Sequence, residues 1–174
     1  GVAILLNRPL VLADLHRARP ALDDLTQLRA AVSAGRLTDF FLLGNEVPVL
    51  LESGDTRGAD AALAKGHRFV SDPQRPPALA AEFAAQIAPF LVRYGRVDDA
   101  LRMMQTCVTR GAIPDYDWLV LDPRLAPLRA DPRFAAILAK SRAEFVILLK
   151  DLDAAKSRGE LPAYLHQPLA ELRQ

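Results

Sequence analysis

"PVLLESGDTRGADAALAKGHRFVSDP" (48–73) and "PFLVRYGRVDDALRMMQTCVTRGAIP" (89–114) overlay at a constant offset of 41 residues. Pro48 meets Pro89, Leu50 meets Leu91, and Gly54 meets Gly95. Ala59 meets Ala100, Leu63 meets Met104, and Pro73 meets Pro114. Turn residues and apolar positions agree without a gap. Self-similarity at a period of a few tens of residues is the signature of stacked supersecondary units, none of which can bury its apolar face alone. Each unit reads as a helix, a tight turn at glycine, a second helix and a closing proline. Glycine reaches positive φ where the first helix stops. The small Ala59 and Ala100 let the second helix approach the first closely. Pro48 and Pro89 fall within the apolar pattern of the first helices. There they remove a hydrogen bond and crowd the carbonyl four residues back, at Gly44 and Ala85. Two readings follow: a kink in both first helices, or a late helix start.

Outward from this pair, nearly every long segment keeps helical period. Leu22, Leu25, Leu28 and Val32 share one face, with Asp23 and Asp24 expected in the first turn and Gly35 at the stop. Leu79, Phe83, Ile87, Leu91 and Tyr94 form a second stripe; Val97, Ala100, Leu101, Met104, Cys107 and Val108 form a third. Phe134, Leu138, Ser141, Phe145, Leu148 and Leu152 step by alternating fours and threes, a seam that predicts a long helix lying lengthwise on neighbours. Gly159 and Pro162 end it, and "PAYLHQPLAEL" reads as a short closing helix. Residues 1 to 8 read equally as helix or strand. Elsewhere β-alternation is not convincing.

"LDPRLAPLRADPRFAAIL" (121–138) carries Asp-Pro-Arg twice, at 122–124 and 131–133. Aspartate accepts from free N–H groups at a helix start, and proline at the first helical position loses no bond. The phrase therefore reads as two helix starts, with Asp131 capping a helix that sends Phe134 into the core. Arg124, Arg129 and Arg133 read as solvated or ion-paired. An anion clamp is the alternative, since helix N-termini attract anions.

The chain has 174 residues, 51% hydrophobic and 25% charged, enough for one domain with its own core. Lys+Arg number 22 against 21 for Asp+Glu, so no global field draws it to nucleic acid or an anionic membrane. The preference for arginine over lysine reads as the bias of a GC-rich bacterial genome. "GVAILL" is too short for a membrane span or a signal-peptide core. The chain is expected to be soluble and cytoplasmic, with the periplasm as the alternative. Beginning at Gly1, it reads as a fragment or processed product of a larger protein.

Glycine, five residues to alanine, four more to leucine or methionine, then proline resembles the tetratricopeptide repeat. The closing segment 121–138 is similar to the element that ends such arrays in bacterial multidomain regulators and nucleotide cyclases. The resemblance covers about residues 37–138. The period of 41 departs from the family's period of about 34. Val47 stands where a small residue is expected and Glu46 where an apolar one is. The resemblance implies an all-α fold, antiparallel helix pairs stacked as a short α-solenoid with a long C-terminal capping helix. The pairs are expected at about 37–53 with 56–70 and 78–94 with 97–110. The organisation is a single helical-repeat domain over 1–174: N-terminal helices in 1–36, repeat units in 37–73 and 78–114, and closing helices in 115–174. "DPQRPP" (72–77) is the stiff connector.

Little in the chain points to catalysis. His16, His67 and His166 are far apart in sequence and in no ligand motif, where a zinc site needs three or four converging ligands. Cys107, the only cysteine, lies on an apolar stripe and reads as a buried hydrophobe. No cofactor or metal is expected, and the chain is read as not an enzyme. The resemblance implies a non-catalytic protein–protein interaction module, the C-terminal part of a larger bacterial regulatory or signalling protein. Its partner is a protein or peptide segment in a groove of the first helices, or another domain of the parent. Asn45, Glu52, Gln86 and Arg93, matched in pairs by the 41-residue register, are the expected groove residues. The alternative is a helical enzyme or small-ligand domain with a site near 115–124, built from Asp115, Tyr116, Asp117 and Arg124.

Overall fold

The computed structural model of the chain describes residues 2–112 and 114–165. They form α1 (Val2–Asp14), α2 (Ala18–Ser33), α3 (Asp39–Glu52), α4 (Thr56–Ser71), α5 (Pro77–Arg93) and α6 (Val97–Thr109). α7 (Tyr116–Leu121), a 3-10 helix (Pro123–Leu128), α8 (Pro132–Ser157) and a 3-10 turn (Ala163–Leu165) follow. No strand occurs among them. The fold is all-α and helical-repeat-like. α3 packs on α4 and α5 on α6, each pair joined by a three-residue turn that makes the helices antiparallel. α5 touches α3, α4 and α6, so it runs through the middle of the molecule.

The 41-residue register holds at the level of single hydrogen bonds. Gly54 and Gly95 have φ of 77° and 72°. The next residue donates back over each turn: Asp55 N to Leu50 O at 3.0 Å, and Arg96 N to Leu91 O at 2.7 Å. These are the wide bonds of a Schellman stop, which satisfies a carbonyl the helix leaves free. Ala59 and Ala100 are 1% and 0% exposed, as a close helix contact requires. Both prolines lie inside continuous helices, so the late-start alternative does not hold. Gly44 has a further role. A Cβ there would stand 2.4 Å from Gln86 Oε1, so the glycine makes room for a side chain of α5.

The core is one cluster centred on Phe83, Ile87, Leu91, Leu101, Met104 and Cys107, all inaccessible to solvent. Phe134 joins it from the start of α8. The repeated Asp-Pro-Arg phrase is structural on both occasions. Asp122 accepts from Arg124 N at 2.9 Å to start the 3-10 helix, and Asp131 accepts from Arg133 N at 2.8 Å to start α8. Each arginine turns back to its own aspartate, and Arg133 also reaches Asp98 at 2.8 Å.

Three expectations change. Residues 2–8 are helical, part of α1. α2 begins at Ala18, so Asp23 and Asp24 sit in its second turn rather than its first. Asp24 is buried and bound to Arg8 Nε at 2.9 Å; its role is a cross-helix ion pair and not dipole compensation. The α8 seam is buried only in its first half. Phe134 and Ser141 are enclosed, Phe145 stacks on Tyr116, and Leu148 is 52% exposed because α8 runs on past the end of α7. The closing segment forms a 3-10 turn at Ala163–Leu165; residues 166–172 of that expected helix lie outside the described residues.

Candidate functional site

α3 and α5 lie side by side, and three of the four expected groove residues, Asn45, Glu52 and Arg93, bind one occupant, while Gln86 packs against Gly44 of α3 at the edge of a cleft beside it. That occupant is α1 and the turn after it. Asn45 is completely buried; its Nδ2 donates to Leu6 O of α1 at 2.9 Å and to Phe41 O at 2.8 Å. α1 contains Pro9, which removes the bond to the carbonyl of residue 5, so on α1 the amide meets the carbonyl next to that break. Arg93 is ion-paired with Asp14 at the end of α1, its guanidinium 5.2 Å from the Phe90 ring centroid. Glu52 accepts from the Tyr94 hydroxyl and lies 3.2 Å from His16 Nδ1. Burial, reinforced by Glu52, pushes the Tyr94 phenol up to about 12. Gln86 lines a cleft of about 180 Å³ with Leu10, Val11 and Asp14 of α1 and Phe90 of α5. The register in the sequence thus brings three side chains from two helices onto one helix and the turn after it.

The residues of the alternative site mostly serve the backbone. Asp115 caps α7, accepting from Asp117 N at 2.9 Å. Asp122 takes Arg124 Nη2 at 2.7 Å and Trp118 Nε1 at 3.1 Å, and the Arg124 hydrogen bond holds its carboxyl below the usual range. Between α7 and α8 an open cleft of about 470 Å³ remains, lined by Asp115, Asp117, Glu144 and the stacked rings of Tyr116 and Phe145, 5.7 Å apart.

A third cleft, about 320 Å³, lies between α3 and α4. Its floor is Glu46, 4% exposed, bound to Arg29 at 3.0 Å and to Lys65 at 3.6 Å. Its rim carries Arg75, paired with Asp39 at 3.1 Å and set 4.4 Å from the Phe69 ring centroid. The signal for this site was the glutamate standing where an apolar residue belongs.

His16 and His67 lie apart, and no group of three or more His, Cys, Asp or Glu able to hold a metal occurs among the described residues. His166 lies outside them. His67 stands 3.7 Å from Asp99, yet burial pushes its pKa down. Cys107 is inaccessible, donates to Ala80 O at 3.3 Å, and burial pushes its thiol up to about 11. Thiolate is the reactive form, so native Cys107 should react with a disulfide reagent at pH 8 at least about 100-fold more slowly than a free thiol. Labelling should become fast only in denaturant; fast native labelling would mean the α5–α6 contact opens.

By architecture the chain is an all-α, helical-repeat-like protein in which no described helix is long and apolar enough to cross a membrane. Searches against family models, curated proteins and solved structures found no match to it.

Proposed function

We propose that the chain is a non-catalytic, tetratricopeptide-like interaction module whose α3–α5 face takes a helical protein segment. The observation that carries this reading is the docking of α1. Asn45 gives a buried donor to a helix backbone, while Arg93 and Glu52 take an acidic and a basic group at that helix's end. A side-chain donor to a backbone carbonyl supplies affinity that does not depend on the bound segment's sequence, and the charged pair supplies selectivity. In this reading α1 is the resident ligand of the face, and an external segment of like chemistry competes with it: apolar, helical, with an acidic residue near its C-terminal end. The module is the C-terminal part of a larger bacterial regulatory or signalling protein of the cytoplasm. The repeats are a divergent pair in a short α-solenoid.

A labelled peptide of residues 2–16 tests this. It should bind the intact chain saturably, and Arg93→Glu should weaken binding at least about tenfold, as loss of an interfacial charge pair does. Amides of α1 should exchange faster than those of α5, through local opening. The reading fails if the peptide does not bind and α1 exchanges only with global unfolding.

A further inference from the structure

α8 is 26 residues long, and its buried residues, Phe134, Ile137 and Ser141, all belong to its first half. Beyond them Val146, Ile147 and Leu148 are 41%, 51% and 52% exposed. A helix half in solvent ordinarily turns charges outward. At about 100° per residue, Ala139, Ala143, Val146, Ile147 and Ala154 instead share the face opposite Phe134, Ser141 and Leu152. All five are exposed, and Lys150 is the one charge along their centre. α8 therefore has two apolar faces, one against the body and one against water.

The charges beside this outer face are arranged in order. Lys140 and Glu144 stand on one edge toward the N-terminal end, and Asp151 on the same edge toward the C-terminal end. Lys140, Glu144 and Lys150 have no ion-pair partner among the described residues, and Asp151 has only the field of Arg158.

We propose that this face is the interface of a homodimer, two copies of α8 pairing antiparallel about a two-fold axis at Val146 and Ile147. With the axis there, Val146 lies on Ile147 of the second copy, and Ala139 on its Ala154. Ala143 lies under the aliphatic stem of its Lys150. Along the edge, Lys140 faces Asp151 of the second copy and Glu144 comes within reach of its Lys150. Symmetry makes each contact twice. Parallel pairing would carry the two copies of this edge to opposite sides of the contact and leave Lys140 and Asp151 eleven residues apart in level, so only the antiparallel arrangement brings the two charges together. Opposed helix dipoles favour it too. The alanines permit a close interaxial approach. The body of each copy lies on the far side of its α8, out of the other's way. A single helix pair lies at the small end of stable interfaces, so a weak, reversible dimer is expected.

Sedimentation equilibrium of the intact chain from about 1 to 500 μM, a range spanning micromolar affinity, tests this. The expected result is a reversible monomer–dimer equilibrium. Ile147→Glu should weaken it at least tenfold with the helical circular dichroism unchanged. Lys140→Asp should weaken it, and adding Asp151→Lys to that variant should restore it. A chain monomeric throughout the range overturns the proposal. So does a dimer indifferent to Ile147→Glu, or one that the charge exchange does not restore.

Discussion

Phe83→Ala should remove about 3–5 kcal/mol of stability, the cost of deleting a fully enclosed ring. Phe83 has no solvent exposure, and its ring centroid lies 5.2 Å from that of Phe69 on α4. It sits on α5, the helix that touches both halves of the repeat pair. The cavity left by alanine would be walled by α4 on one side and α6 on the other, and two packed helices cannot collapse into it together. A domain of this size has about 5–15 kcal/mol in total, so the variant loses about a fifth or more of its margin. Urea unfolding followed by circular dichroism should show the midpoint falling with the slope unchanged. A loss below about 1 kcal/mol would mean that this site collapses freely, unlike a well-packed core.

Gly66→Leu attacks the same contact from the other helix. A Cβ at Gly66 would stand 2.9 Å from two carbons of the Phe83 ring and 3.6 Å from Met103 Cε. The ring is enclosed and cannot swing away. The gain in helix propensity over glycine, about 1 kcal/mol, is outweighed by overpacking, which costs about 1–3 kcal/mol or more. The larger figure applies here because three further carbons must enter the same space. Combining Gly66→Leu with Phe83→Ala should cost less than the two losses added, since the new side chain fills the vacated volume. A coupling of about 0.5–3 kcal/mol is expected for residues in direct contact. Strict additivity in the double variant would separate the two residues and contradict the α4–α5 packing.

The sequence by itself determined the local architecture. The glycine stops at Gly54 and Gly95, the two Asp-Pro starts and the burial of Ala59, Ala100 and Cys107 all follow from rules that act within a turn or two of the chain. A repeated register was legible because each unit writes those local rules in the same order. What only the tertiary structure decided lies between elements distant in sequence. Asp24 is a buried ion-pair partner because α1 brings Arg8 to it, and no pattern within α2 could say so. Asn45, Glu52, Gln86 and Arg93 were legible as polar positions in one register, but not that α1 lies beside them, since residues 1–8 read equally as helix or strand. Glu46 showed in the sequence only as a misplaced charge; Arg29 and Lys65, 17 and 19 positions away, make it tolerable. The outer face of α8 was hidden by its own regularity. A helix apolar on two sides carries the pattern of a core helix, and only the packing of the body on one side leaves Val146 and Ile147, on the other, in water. Periodicity reports which residues share a face; what that face meets depends on where other parts of the chain come to rest, and that is set by packing over long separations.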